Sequence, residues 1–338
     1  MLSPEAVAEA IAAWYPDVGP VRGVRRIDRG PGFAWWEVDA EAGRFAARTM
    51  DSRHEIRALP FEVFASRHLA ERTALVPAAL LTRDGRSFGE YHGVSLLVFP
   101  AAAGEPARPG PTGARAVGQA LAAVHAAGLD FGPPPRPGHP SWDGFDWELN
   151  EPWTWADLER ACRRLAASER AGGRDLAAAM PFLRSARDEI DAWLEAVREE
   201  GPAFGLVHGG PRPEALLLRE GSPAALWDWH RCRGDWLIAD LAAAVWEFAR
   251  RPGAAAPDPA LANELAAAYI EAGGPMPLDD LRWLSGMLRA ELLRRLCELA
   301  YFEPEELAEA GDELVRGIEA IDASIPLAVP KPHRGEQG

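Results

Sequence analysis

The chain carries a single lysine, Lys331, close to its C-terminus; every other permanently cationic side chain is arginine. That decides some chemistry at once. A P-loop cradle needs Gly-Lys-Ser/Thr and is excluded, and a Schiff-base enzyme, which needs an internal lysine amine, is not expected. Any permanently charged group that holds phosphate in the body of this protein must be arginine. A second concentration of chemistry lies between residues 132 and 157. There Trp142, Trp147, Trp153, Trp155 and Phe145 are interleaved with Asp143, Asp146, Glu148, Glu151 and Asp157. Aromatic walls among carboxylates suit a cation or a flat ring; equally, the rings could pin a long loop onto neighbouring helices. Cys162, Cys232 and Cys297 are odd in number and widely spaced, which fits buried reduced thiols and not a disulfide framework or a zinc site.

The elements that must position these groups fall into two parts. Ser3-Pro4-Glu5 reads as N-cap, first-turn proline and dipole-favouring carboxylate, opening a short helix to about Trp14. Strand patterns follow at 24–27, 33–38 and 44–50. Pro60 then starts a helix with apolar Phe61, Phe64, Ala65 and Leu69 at helical spacing. Two further strands are expected to flank the Asp84-Gly85 turn, the last at 94–99. Residues 1–100 thus form a small lobe of five strands and a helix. Residues 101–111 are rich in Pro and Gly and read as a hinge. Residues 112–324 are mostly helical, with long helices near 155–169, 178–200, 237–250, 259–272, 278–301 and 304–321, and 325–338 reads as a mobile tail. The fold class is α+β.

The length of 338 residues, 48% hydrophobic and 26% charged, describes a globular protein of one large or two modest domains. A formal charge of −15 disfavours nucleic acid and anionic membrane surfaces. No apolar run approaches the roughly 18 residues that cross a bilayer, and Met1-Leu2-Ser3-Pro4-Glu5 has no leader-like basic and apolar regions. A cytoplasmic location is expected, with a small-molecule ligand or a protein as partner.

Two linked segments carry a resemblance. Leu206-Val207-His208-Gly209-Gly210-Pro211-Arg212-Pro213-Glu214-Ala215-Leu216-Leu217 is similar to the H-G-D-x-x-P-x-N brace of the aminoglycoside-phosphotransferase and homoserine-kinase-like family. About ten residues on, Ala225-Leu226-Trp227-Asp228-Trp229 resembles that family's A-L-I-D-F/W segment, and Trp236-Leu237-Ile238-Ala239-Asp240-Leu241-Ala242 its continuation. The resemblance spans roughly residues 20–320 and implies a two-lobed protein-kinase-like fold that binds ATP or another nucleotide with Mg²⁺. In the family, the brace aspartate accepts the substrate proton, and an asparagine five residues on and the later aspartate hold the metal. Here these positions are Gly210, Ala215 and Asp228; only Asp228 keeps its chemistry.

On the same resemblance, Arg48 would contact the nucleotide phosphates with Glu62 as its partner, and Gly30 and Gly32 would lie in the loop over the nucleotide. Phe99 and Ala101 would form the adenine-facing hinge. His208 would brace the loop. Glu214 and His230 are the candidates to replace the lost base or ligand, and Trp142, Trp147, Trp153 and Asp235 the candidates for the substrate side. Three readings stay open: a nucleotide-binding pseudokinase, an active phosphotransferase with rewired residues, and a protein-interaction module without nucleotide.

Overall fold

A computed structural model describes residues 2–27, 33–50, 56–132, 134–149, 153–167 and 173–321. Gly30, Gly32 and the 325–338 tail fall outside the described residues.

The small lobe is built on one antiparallel sheet of five strands: β1 (Val21–Ile27), β2 (Ala34–Ala40), β3 (Gly43–Met50), β4 (Gly89–Tyr91) and β5 (Val94–Pro100), in the order β1-β2-β3-β5-β4. Strand side chains alternate between faces, and the two faces have different partners. Trp36, Val38, Ala47, Leu96 and Val98 point to the outer face, where helix α1 (Pro4–Trp14) buries Val7, Ala10 and Ile11. Trp35, Met50, Leu97 and Phe99 point inward, against Leu59 and Val63 of helix α2 (Leu59–Ala70). Ser3 caps α1 as its sequence suggests, its Oγ accepting from Ala6 N at 3.3 Å.

Asp84-Gly85 does not turn a β-hairpin. It closes a short turn in which the Thr82 amide donates to the Arg86 carbonyl at 3.0 Å. The hairpin turns instead at His92-Gly93, between β4 and β5, with both residues at positive φ (50° and 75°). Two such residues make the primed turn that matches strand twist. Asp84's carboxylate bonds Thr82 Oγ1 and Arg86 Nε, which stabilises a local turn and leaves strand pairing to the later segment.

The large lobe is mostly helical: α3 (Pro111–Ala127), α4 (Trp155–Ala167), α5 (Gly173–Ala178), α6 (Met180–Glu200), α7 (Leu237–Phe248), α8 (Pro259–Glu271), α9 (Leu284–Phe302) and α10 (Leu307–Ala320). Five short strands carry the loops that face the small lobe: β7 (Phe204–Val207) pairs with β10 (Arg233–Trp236), and β8 (Leu216–Arg219) lies between β6 (Glu105–Pro106) and β9 (Ser222–Leu226). The segment expected as one helix over 278–301 begins as a 3₁₀ turn, Leu278–Trp283. There Asp280 turns its carboxylate to the Ala203 amide at 2.8 Å, tying the turn to the strand start. No helix of the described residues is long and apolar enough to cross a membrane.

Candidate functional site

Between the lobes lies a cavity of about 560 Å³, lined among others by Ile27, Trp35, Ala46, Phe99, Ala101, Trp227 and Asp228. Its size falls within the range of small-molecule sites. The edge of Trp35 meets Trp227 at 5.0 Å between ring centroids, and Phe99 lies 6.0 Å from Trp35. Together they make an aromatic wall suited to a flat base. The Ala101 amide donates to the Arg44 carbonyl at 3.0 Å, so the hinge at this residue offers its carbonyl and not its N–H.

Arg48 leaves β3 on the inward face and is fully buried. Its Nη2 donates to Glu62 Oε2 at 2.5 Å, and its guanidinium lies over the rings of Phe33 (4.9 Å) and Trp35 (5.4 Å). The Arg48–Glu62 pairing expected from the sequence is therefore formed. Arg48 Nη1 also approaches Asp228 Oδ1 at 3.9 Å.

Asp228 sits where β9 ends, in the left-handed region (φ 68°, ψ 54°). Its Oδ1 accepts from His230 Nδ1 at 2.8 Å, and its Oδ2 lies 3.5 Å from Arg212 Nη2. Burial opposes charge on this carboxyl, but His230, Arg48 and Arg212 prevail and hold it well below the ordinary carboxylate range. Burial likewise dominates at His230, outweighing the Asp228 carboxylate, and the ring stays below its usual pKa. An ionised carboxylate can only accept, so Nδ1 carries the proton and Nε2 carries the lone pair.

The brace loop follows β7. Gly209 has φ 85°, and a Cβ there would meet the Arg231 carbonyl at 2.1 Å, so only glycine fits. One carboxylate pins the loop from behind. Asp240 of α7 accepts the His208 amide at 2.6 Å and the Gly209 amide at 2.8 Å, and it meets His125 Nε2 at 3.1 Å. His208 donates from Nε2 to the Trp227 carbonyl at 2.9 Å, joining the brace to the Asp228 segment; burial keeps this imidazole below its usual pKa. Gly210 offers no side chain. The position its Cβ would take is 3.5 Å from Arg231 Cδ and 3.9 Å from Arg231 Nη1. Arg231 thus packs where the family's base would project.

A divalent metal fits these residues poorly. Mg²⁺ asks for an octahedral set of oxygens. Asp228's two oxygens already face His230, Arg48 and Arg212, and Ala215 supplies no donor. Among the described residues, no cluster of His, Cys, Asp and Glu is arranged to hold a metal. Glu214 is exposed, and its carbonyl accepts from Trp227 Nε1 at 3.0 Å.

The substrate-side candidates are placed differently from expectation. Trp142, Trp147 and Trp153 are 0%, 3% and 2% exposed and belong to the core of the large lobe, away from the interlobe cavity. Their edges stack on Phe145, and their N–H groups turn to carboxylates: Trp142 Nε1 to Glu291 at 2.7 Å and Trp147 Nε1 to Asp191 at 2.6 Å. Buried indoles need such partners, so Glu291 and Asp191 serve as acceptors for these indoles. Asp235, also buried, accepts from Ser141 Oγ, the Trp142 amide and Arg233. It anchors the excursion to β10. Trp147→Phe is accordingly expected to lower stability by about 1–3 kcal/mol, because Asp191 loses its donor. Nucleotide affinity should stay within about twofold. Thermal melts and calorimetry on the same variant separate the two effects.

Arg231 and Trp35 do not stand out in the sequence, and Arg212, Trp227 and Asp240 appear there only within the motif segments, with no role of their own. For Asp240 a signal existed: an aspartate within the otherwise apolar Leu237–Trp246 run, since a buried carboxylate needs donors. All three cysteines are buried.

A β-rich lobe closed over a helical lobe, with a buried Arg–Glu pair above and an aspartate below the cleft, defines the protein-kinase-like architecture. The family model described as "Phosphotransferase enzyme family" matches residues 23–284, and the chain belongs to that family. It is 29% identical over 292 residues to a homoserine kinase of Pseudomonas aeruginosa (strain LESB58), covering 85% of this chain and 83% of the relative. Among solved structures it is similar to a microcompartment-associated aminopropanol kinase, with TM-score 0.62 and 21% identity, covering 93% and 94% of the two chains. It is also similar to the amicoumacin kinase hAmiN, solved with AMP-PNP, Ca²⁺ and Ami, with TM-score 0.64 and 16% identity over 97% and 95%. At these identities the two structures support the fold alone.

Proposed function

We infer that this protein is a nucleotide-binding pseudokinase descended from small-molecule kinases. The observation that carries the reading is the pairing of Gly210 with Arg231: a guanidinium, which can neither accept a proton nor ligate a cation, packs against the position of the base. A general base contributes about 10²–10⁴-fold to such reactions. Its loss coincides with the loss of a metal ligand at Ala215 and with an Asp228 already engaged by cations. The nucleotide side keeps its parts: the aromatic wall, the hinge, and Arg48 aligned by Glu62. Arg48 and Arg212, on either side of Asp228, are positioned to offset phosphate charge in place of a metal. A cytoplasmic setting agrees with three unpaired thiols.

Calorimetry with ATP tests this. ATP is expected to bind saturably, with less than about threefold difference between Mg²⁺ and EDTA, and Arg48→Ala should weaken it at least tenfold. No saturable nucleotide binding overturns the reading.

One observation favours a second reading, an active enzyme with rewired residues. The His230–Asp228 pair presents a neutral imidazole with a free Nε2 lone pair, which is the form a general base requires. Homoserine and aminopropanol, the compounds in the relatives' names, both bear a hydroxyl and an amine. Phosphorylation of either by the wild-type protein, abolished in His230→Ala with ATP affinity retained, would establish this second reading over the first.

A further inference from the structure

Beside Gly209 and Gly210 lies a recess of about 60 Å³ between the brace loop and helices α7 and α9. Its lining is unusually cationic for a protein of net charge −15. Arg212, Arg231, Arg294 and Arg295 face Glu247, Glu291 and Glu298, one positive charge in excess within the lining, with Arg212 also 3.5 Å from Asp228 at its edge. The pairing among them is incomplete. Arg231 reaches Glu298, Arg295 reaches Glu247, and Arg294 Nε donates to the same Glu298 at 3.2 Å. Glu291 is shared with Trp142 Nε1 and, at 3.5 Å, with Arg233, whose main partner is Asp235. Arg231 and Arg294 therefore share the one carboxylate of Glu298, one on each oxygen.

Arg294 is 4% exposed, and its Nη1 is buried without a hydrogen-bond partner among the described residues. Its guanidinium lies over Trp142 at 5.5 Å and Phe145 at 5.9 Å, so the rings hold it in place without satisfying that N–H. A buried donor left unpaired is destabilising unless something accepts from it. The electrostatics agree. Burial, followed by Arg294, Arg212 and Arg295, pushes the Arg231 guanidinium down to about 9. Burial and Arg233 push Arg294 down to about 10. Burial is the larger cause in both, with neighbouring guanidiniums adding to it, and a bound anion would offset the two together. The nearby Glu303 supplies little, because burial and Glu306 push it up to about 7.

We propose that this recess is an anion seat, in which Arg231, Arg294, Arg295 and Arg212 hold the carboxylate or phosphate group of a small molecule. The forked guanidinium matches both groups, and the volume suits one such group or a few waters. The charge of the catalytic loop is thereby inverted: where relatives present a carboxylate to a hydroxyl, this chain presents arginine to an oxyanion. The proposal rests on the reading of the cleft as a ligand site, but its test does not require nucleotide.

Inorganic phosphate and acetate are titrated into the full chain at constant ionic strength with chloride as reference, followed by calorimetry and thermal shift. At least one of the two is expected to bind saturably. Arg231→Gln should weaken that binding at least tenfold. Glu298→Gln, which removes the competing carboxylate, should strengthen it severalfold, a gain that loss of fold cannot mimic. Displacement of phosphate by ATP but not by AMP would identify the anion as a nucleotide's terminal phosphate. Simultaneous binding of phosphate and ATP would identify it as part of a separate ligand. No saturable binding of either anion, or binding that neither variant changes, overturns the proposal. Failure of ATP alone to bind would overturn the nucleotide reading and leave the seat standing.

Discussion

Asp240→Ala is expected to destabilise the protein by about 3–5 kcal/mol, the range for removing one member of a buried charged network. The carboxylate is 1% exposed and accepts from the His208 and Gly209 amides while meeting His125, which in turn reaches Tyr269. Its loss leaves two loop amides and an imidazole facing a void, and the brace loop has no other anchor of this kind among the described residues. For a domain of this size, roughly 2–4 °C of melting temperature follow each kcal/mol, so a drop of at least about 6 °C is the expected readout.

The pH dependence follows from the same geometry. Burial opposes the charge on Asp240, yet His125, His208 and the Gly209 amide bring the carboxyl below its usual value. A carboxyl depressed on folding stabilises the native state above its unfolded pKa, near 3.9, and that contribution disappears as pH falls through the lower folded pKa. Wild type should lose stability steeply below about pH 4, with Asp228 contributing in the same direction. Asp240→Asn should be less stable at pH 7 and show a flatter acid limb. An unchanged limb would remove Asp240 from the role of brace.

The lobe order, four of the five strands of the small lobe and the helical character of the rest could be read from the sequence, because alternation and helical periodicity are local signals; the fourth strand, expected before Asp84, lies after it at Gly89–Tyr91. So could the Arg48–Glu62 pair and the place of Asp228, since two motifs fixed their register in a known frame. The errors came from longer range. Asp84-Gly85 and His92-Gly93 are both good turn dipeptides, and only the pairing of Gly89 with Leu96 decides which one turns the hairpin. The tryptophans of the 132–157 excursion looked like a ligand wall because their acidic neighbours also suit a cation. The partners that consume those rings, Asp191 and Glu291, lie 44 and 149 residues away from them. Arg231 and Arg212 gave no signal, because arginine is nearly everywhere in a chain that has one lysine. Their meaning depends on the empty side of Gly210, which only the folded loop reveals.

That meeting of Gly210 and Arg231 sets the last expectation. Restoring the family pattern with Gly210→Asp and Ala215→Asn should not produce ATP hydrolysis above the wild-type level. A Cβ at 210 would lie 3.9 Å from Arg231 Nη1, so the new carboxylate would form an ion pair with that guanidinium. An aspartate paired in this way has its pKa lowered and its lone pairs occupied, which is the opposite of a poised base. Adding Arg231→Ala should release it. Glu298 would then still have Arg294 as a partner, so the change leaves no bare buried carboxylate. In the triple variant, slow hydrolysis of ATP to water is expected at least tenfold above the double variant, within the 10²–10⁴-fold span of a general base. Two stability terms have to be checked by thermal melts before rates are compared. Position 210 has φ 158°, which strains a side chain by about 1–3 kcal/mol, and Ala215 is 4% exposed, with little room for an amide. Hydrolysis by the double variant equal to that of the triple would show that Arg231 does not block the site. A folded triple variant that binds ATP without hydrolysing it would show that the cleft has lost the geometry of transfer along with its residues.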